Sequence, residues 1–233
     1  MKYLFFAIFF SVLIYGQKIE KEKINIQLKN ELAQINYDDQ IYRELMQPDI
    51  SLERKQQIIN EKKLTEEQAT VGLWKVMQKQ DDENLGKIEE ILAKYGYPGK
   101  SLVGEPENKT AWIVIQHSAK IKQYLPIIKE AAEKKEIPFT LYAMMLDRQL
   151  MQEGKEQIYG TQGTSFNIMK SGVTETISLI WPIKNFNEVN KLRKEVGFSE
   201  TIDSYAKDLF GNDFVLKNYT LEEVLKLRNK NKK

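Results

Sequence analysis

Three polar groupings interrupt the apolar middle of the chain, and each carries side chains able to do chemistry. His117 is the only histidine, the side chain that titrates nearest neutral pH and serves as general acid, general base or ligand donor. Asp147 and Arg148 are the only formal charges between Ile137 and Gln152. The segment Gln157-Ile-Tyr-Gly-Thr-Gln162 gathers amides and hydroxyls around a turn at Gly160, where backbone N–H groups can converge.

Helical spacing sets His117 three residues after Val114, four before Ile121 and seven before Tyr124, on an apolar stripe facing the core. There it is either a structural histidine with one hydrogen-bond partner or an acid/base group. Asp147 and Arg148 sit among Phe139, Leu141, Tyr142, Met144, Met145 and Leu146, so their helix is central and both charges require partners. Neighbours on a helix diverge by about 100°, so the two reach different groups. Asp147 is a candidate to orient His117 as a carboxylate–imidazole pair. Arg148, with Gln116, is a candidate to bind an anionic group. Gln157, Tyr159, Thr161 and Gln162 either present donors to a ligand or satisfy the end of the preceding helix. A buried polar network joining helices accounts for the same residues equally well.

Other chemistries fit less well. One histidine and no cysteine exclude the common zinc sets, and Asp81-Asp82-Glu83 lacks calcium-loop spacing; no metal and no cofactor are expected. No serine occupies a nucleophile elbow. Tyr97-Pro-Gly-Lys-Ser-Leu-Val-Gly104 is a turn-rich connection without the ending of a phosphate loop. Lys plus Arg number 35 against 33 Asp plus Glu, so no global field recruits nucleic acid or an anionic membrane.

The elements that must position these groups are mostly helical. Ile24, Leu28, Leu32 and Ile35 form one stripe over residues 18–46, followed by Asp39-Gln40 and Arg43. Pro48 breaks the pattern and Ser51 caps a second helix. Thr65-Glu-Glu-Gln68 reads as a capping box opening a helix through Trp74 and Met77; Asp81 caps the next, which ends at Gly96. Thr110 begins an apolar helix predicted to reach Tyr124, where Pro126 kinks or restarts it. Pro138 opens another, residues 139–152, with Gly154 beyond its end. Residues 164–180 alternate as two strands joined around Lys170-Ser-Gly172, an antiparallel hairpin. Asn185 or Asn187, Ser199 and Thr220 cap three later helices, the last within a basic end at residues 219–233.

Residues 1–16 read as a signal peptide: Lys2 is the charged part, residues 3–14 are an apolar run too short to span a bilayer, and Gln17 is the new N-terminus. The remaining 17–233 are expected to form one exported domain, periplasmic or secreted, without disulfides and outside the membrane.

The order Asp39-Gln40, Tyr95-Gly96-Tyr97-Pro98, Gln116-His117, Asp147-Arg148 and Gln157–Gln162 resembles a family of uncharacterised bacterial proteins, a domain of unknown function. Arg193 with Val196-Gly197-Phe198 is similar to that family's late segment, Phe198 standing where leucine is expected. The resemblance spans about residues 36–205 and implies a shared domain and site; it brings no activity. The expected fold is mainly α, a multi-helical single domain with one small antiparallel β-hairpin. The leading functional expectation is a cell-envelope binding or interaction module with a polar cleft, formed by the His117 helix, the Asp147-Arg148 helix and the Gln157–Gln162 turn, its partner a small polar or anionic ligand or an envelope protein. A hydrolase-like enzyme with His117 as acid/base and a structural scaffold are the alternatives.

Overall fold

The computed structural model describes residues 24–170 and 173–229, so the signal-peptide reading of residues 1–16, the hairpin tip and the last four residues lie outside the described residues. Among them, ten α-helices and one two-stranded antiparallel hairpin make a mainly α fold. None of these helices is long and apolar enough to cross a membrane.

Helix α1 (Ile26–Glu44) begins at Asn25, whose side chain accepts from the Leu28 N–H, and buries Leu28, Leu32 and Ile35 as the stripe requires. Ser51 caps α2 (Leu52–Glu61) as read. The capping box forms, Thr65 and Gln68 bonding reciprocally, but it encloses a run of turns. The helix starts only at Leu73. It then runs unbroken as α3 (Leu73–Tyr95), so the two helices expected on either side of Asp81 are one. No proline or other breaker lies between them, and the Asp81 carboxylate is held by another helix rather than capping its own. Gly96, at φ +70°, ends α3.

After the short α4 (Lys100–Val103), α5 (Thr110–Gln116) stops eight residues before Tyr124. The Ser118 hydroxyl bonds the Ile115 carbonyl and accepts the Lys120 N–H, closing a turn. The chain restarts as α6 (Ile121–Glu133), which contains Pro126, and continues as α7 (Phe139–Gln152), bounded as expected by Pro138 and Gly154. Strands β1 (Gly163–Lys170) and β2 (Val173–Ile180) pair with Gly163 opposite Ile180. Then come α8 (Val189–Glu195), α9 (Ile202–Phe210) and α10 (Leu221–Asn229). Asn185 stands before a short 3-10 turn, Phe186–Glu188, that runs into α8, without a side-chain cap bond; Thr201 rather than Ser199 caps α9, and Thr220 caps α10.

The main core joins Leu32 and Ile35 of α1, Ile88 and Leu92 of α3, Ile115 of α5, Ile128 of α6 and Met145 of α7. A second cluster, with Ile180, Ile183, Val189 and Ile202, supports the turn after α7.

Candidate functional site

Ending α5 at Gln116 makes His117 its C-cap, so the imidazole leaves the apolar stripe and turns toward α1 and α3. Its Nδ1 lies 3.2 Å from Asp39 Oδ1 and 3.2 Å from Oδ2. Asp39 is fully buried, and its charge is met from three sides: His117, Gln40 Nε2 at 2.6 Å and Arg43 Nη1 at 3.3 Å. Arg43 also donates from Nη1 to the Asp39 carbonyl and from Nη2 to both oxygens of Asp81, at 2.9 and 2.8 Å. Burial pushes the Asp81 carboxyl upward and the guanidinium pulls it back. A carboxylate beside Nδ1 favours the tautomer that donates there, leaving Nε2 as the free lone pair. Asp39, Asp81 and His117 together are the described residues that could hold a metal ion, their ligand atoms within 4.8 Å of one another.

Asp147 does not orient His117; no hydrogen bond or ion pair joins them among the described residues. Its oxygens are spent on the following turn instead. Oδ1 accepts from Ile158 N at 2.8 Å, and Oδ2 from Thr161 N and Thr161 Oγ1 at 3.0 Å, with Tyr159 N shared between them at 3.2 and 3.1 Å. Burial raises the Asp147 carboxyl, and these donors act against that rise. The expected convergence of N–H groups at the turn is therefore present, filled by the protein's own carboxylate.

The amides of the turn are equally committed. Gln157, fully buried, donates to the Gln162 and Trp181 carbonyls at 2.9 and 2.7 Å and accepts from Gln162 N at 2.8 Å. Gln162 Nε2 reaches the Met144 carbonyl and Thr161 Oγ1. Thus Asp147, Gln157, Thr161 and Gln162 build the turn, and Tyr159 alone among the named side chains stays outside this network. Gly160 suits this turn: its φ of +73° strains any side chain, and a Cβ would stand 2.5 Å from Ile202 Cδ1, which would have to shift. From the far side Arg193, fully buried, donates to the Tyr159 and Glu200 carbonyls at 3.0 Å and lies over the Phe198 and Tyr205 rings. Burial lowers its pKa.

Arg148 follows Asp147 in the chain and reaches the residue before His117. It is half-buried, and Nη1 donates to the Gln116 carbonyl at 3.3 Å, beside His117. Burial draws its pKa down, and no carboxylate pairs with it among the described residues. The sequence reading missed Asp39 as the partner of His117, and with it Arg43 and Asp81. One signal was available: Asp39 continues the 28, 32, 35 spacing, a carboxylate on the buried stripe of α1.

Fold and clusters together define a mainly helical protein with a histidine-carboxylate group, a carboxylate-locked turn and an arginine, next to Asp147 in the chain, bonded to the carbonyl before His117. A family model described as Family of unknown function (DUF6624) matches residues 41–217, and the chain belongs to that family. The match takes in His117, the Asp147 hub and Arg193 and begins just after Asp39. Comparison with curated proteins and with solved structures gives no match.

Proposed function

We propose that this protein is a binding module for a small anionic ligand, held by Arg148 at the junction of α5 and α7 with His117 beside it. The observation that carries the reading is the state of Arg148. A guanidinium offers five N–H donors, and here one long hydrogen bond to a carbonyl is formed by a side chain that burial already disfavours as a cation. A structural arginine is satisfied as Arg193 is, by several carbonyls and rings; among the described residues Arg148 has one carbonyl and no ring. A carboxylate or phosphate would meet the unspent donors in bidentate fashion. The test is titration of the wild type and Arg148→Gln with inorganic phosphate and with succinate, followed by NMR shift changes. Saturable binding to the wild type, weakened at least about tenfold in the variant, is expected from loss of one charge-assisted pair. Equal binding by both proteins, or none by either at millimolar ligand, sinks the reading.

A second reading rests on the Asp39–His117 contact, which favours an acid–base enzyme with His117 Nε2 as the base and Asp39, not Asp147, as its orienter. Hydrolysis of nitrophenyl ester or phosphate substrates that vanishes in His117→Ala supports it; turnover indifferent to that change excludes it. We also propose that residues 1–16 export the chain to the cell envelope, supported by their charge and apolar run. The intact mass of protein recovered from its native cell would then begin at Gln17, and retention of Met1–Gly16 would refute export by cleavage.

A further inference from the structure

We propose that Asp39, Asp81 and His117 form a site for one divalent transition-metal ion of the Mn2+ or Zn2+ type. The inference stands on α1, α3 and the end of α5 and goes beyond the anion reading, because it does not use Arg148. Two carboxylates with one imidazole are a mixed oxygen and nitrogen set, which suits such ions better than Ca2+. Their ligand atoms lie within 4.8 Å of one another, and ligands that share one ion at about 2.2 Å each stand about 3–4.4 Å apart. Withdrawal of Arg43 and an inward closing of the three side chains would seat one ion between them.

Charge points the same way. Two carboxylates face one guanidinium, leaving one negative charge around a fully buried Asp39. Two buried atoms supply the independent observation. Asn84, fully buried and one helical turn after Asp81 on the same face of α3, has no partner for Nδ2 among the described residues. Asn36, one turn before Asp39 on α1, likewise has no partner for its buried Oδ1 among the described residues. A donor and an acceptor left open one helical turn from two of the ligands are what water or outer partners of a bound ion would satisfy.

Arg43 is the competitor. Its guanidinium now holds the place of a cation between the two carboxylates, and at 21% side-chain exposure it is able to withdraw toward solvent. Removing it should tighten metal binding, the opposite of what loss of a mere packing residue would do. The experiment is titration of chelator-treated full-length protein with Mn2+, read by loss of the free-ion EPR signal. One ion per chain is expected, weakened at least about tenfold in Asp81→Asn and in His117→Gln, tightened in Arg43→Gln and unchanged in Arg148→Gln. If Asp81→Asn does not fold by circular dichroism, His117→Gln and Arg43→Gln decide. No saturable binding at millimolar Mn2+, binding indifferent to His117→Gln, or weaker binding in Arg43→Gln overturns the site. Phosphate binding lost in Arg148→Gln with Mn2+ binding intact separates failure of one reading from failure of the other.

Discussion

Asp147→Asn should destabilise this protein far more than the loss of one negative charge suggests. The carboxylate receives donors on both oxygens: Ile158 N and Tyr159 N on Oδ1, and Tyr159 N, Thr161 N and Thr161 Oγ1 on Oδ2. An asparagine amide keeps one oxygen and places an NH2 against the donors of the other. With Oδ1 replaced, the Ile158 N–H loses its acceptor; with Oδ2 replaced, the Thr161 N–H does. A stranded buried donor costs about 1–3 kcal/mol, and the bonds that survive lose charge assistance worth about 1 kcal/mol each. Neutralising the side chain returns part of this, because burial already disfavours the carboxylate. The net is a loss of about 2–4 kcal/mol, read by urea denaturation at neutral pH with an unchanged slope. His117→Ala is the comparison. Asp39 retains Gln40 and Arg43 in that variant, so the loss should stay under about 1.5 kcal/mol. A loss below about 1 kcal/mol for Asp147→Asn, or equal losses in the two variants, would refute the assignment of Asp147 as the turn's organiser.

Arg193→Lys removes the fork that reaches the Tyr159 and Glu200 carbonyls and the plane that lies over Phe198 and Tyr205; a loss of about 2–4 kcal/mol is expected in the same denaturation assay. A loss within about 0.5 kcal/mol would mean those contacts contribute little. Glu153 is held by Lys122, Lys155 and Gln149 at a pKa of about 2. Because that value is depressed, its contribution to stability is present above the ordinary carboxylate range and lost as pH falls through about 2. Carboxyl NMR should place its midpoint there and move it upward in Lys122→Met; a midpoint in the ordinary glutamate range already in the wild type counts against the pairing. Gly160→Ala should lower the denaturation midpoint, since both positive φ and the Ile202 and Ile183 side chains oppose a Cβ; an unchanged midpoint would show that the turn adapts.

The local code of this chain is easy to read where period and punctuation agree. Leu28, Leu32 and Ile35 mark the buried side of α1, Pro138 and Gly154 bracket α7, and the alternation of residues 163–180 marks the hairpin. It misleads where punctuation is ambiguous. Asp81 resembles a cap but lies inside α3, because a carboxylate on a helix can serve a neighbour as well as its own N-terminus. Ser118, without any breaker residue, ends α5 through two hydrogen bonds and so turns His117 off the apolar stripe toward Asp39.

By itself, then, the sequence determined the helical class, most element ends and the identity of the polar groups that need partners, because periodicity and capping act within a few residues. Which partner each group takes was decided only by tertiary packing. His117 meets Asp39 across 78 residues of chain, while Asp147 turns to Ile158, Tyr159 and Thr161 close by. Burial demands that a charge be met, but it does not rank the candidates; the helix packing that brings α1, α3 and α5 together does.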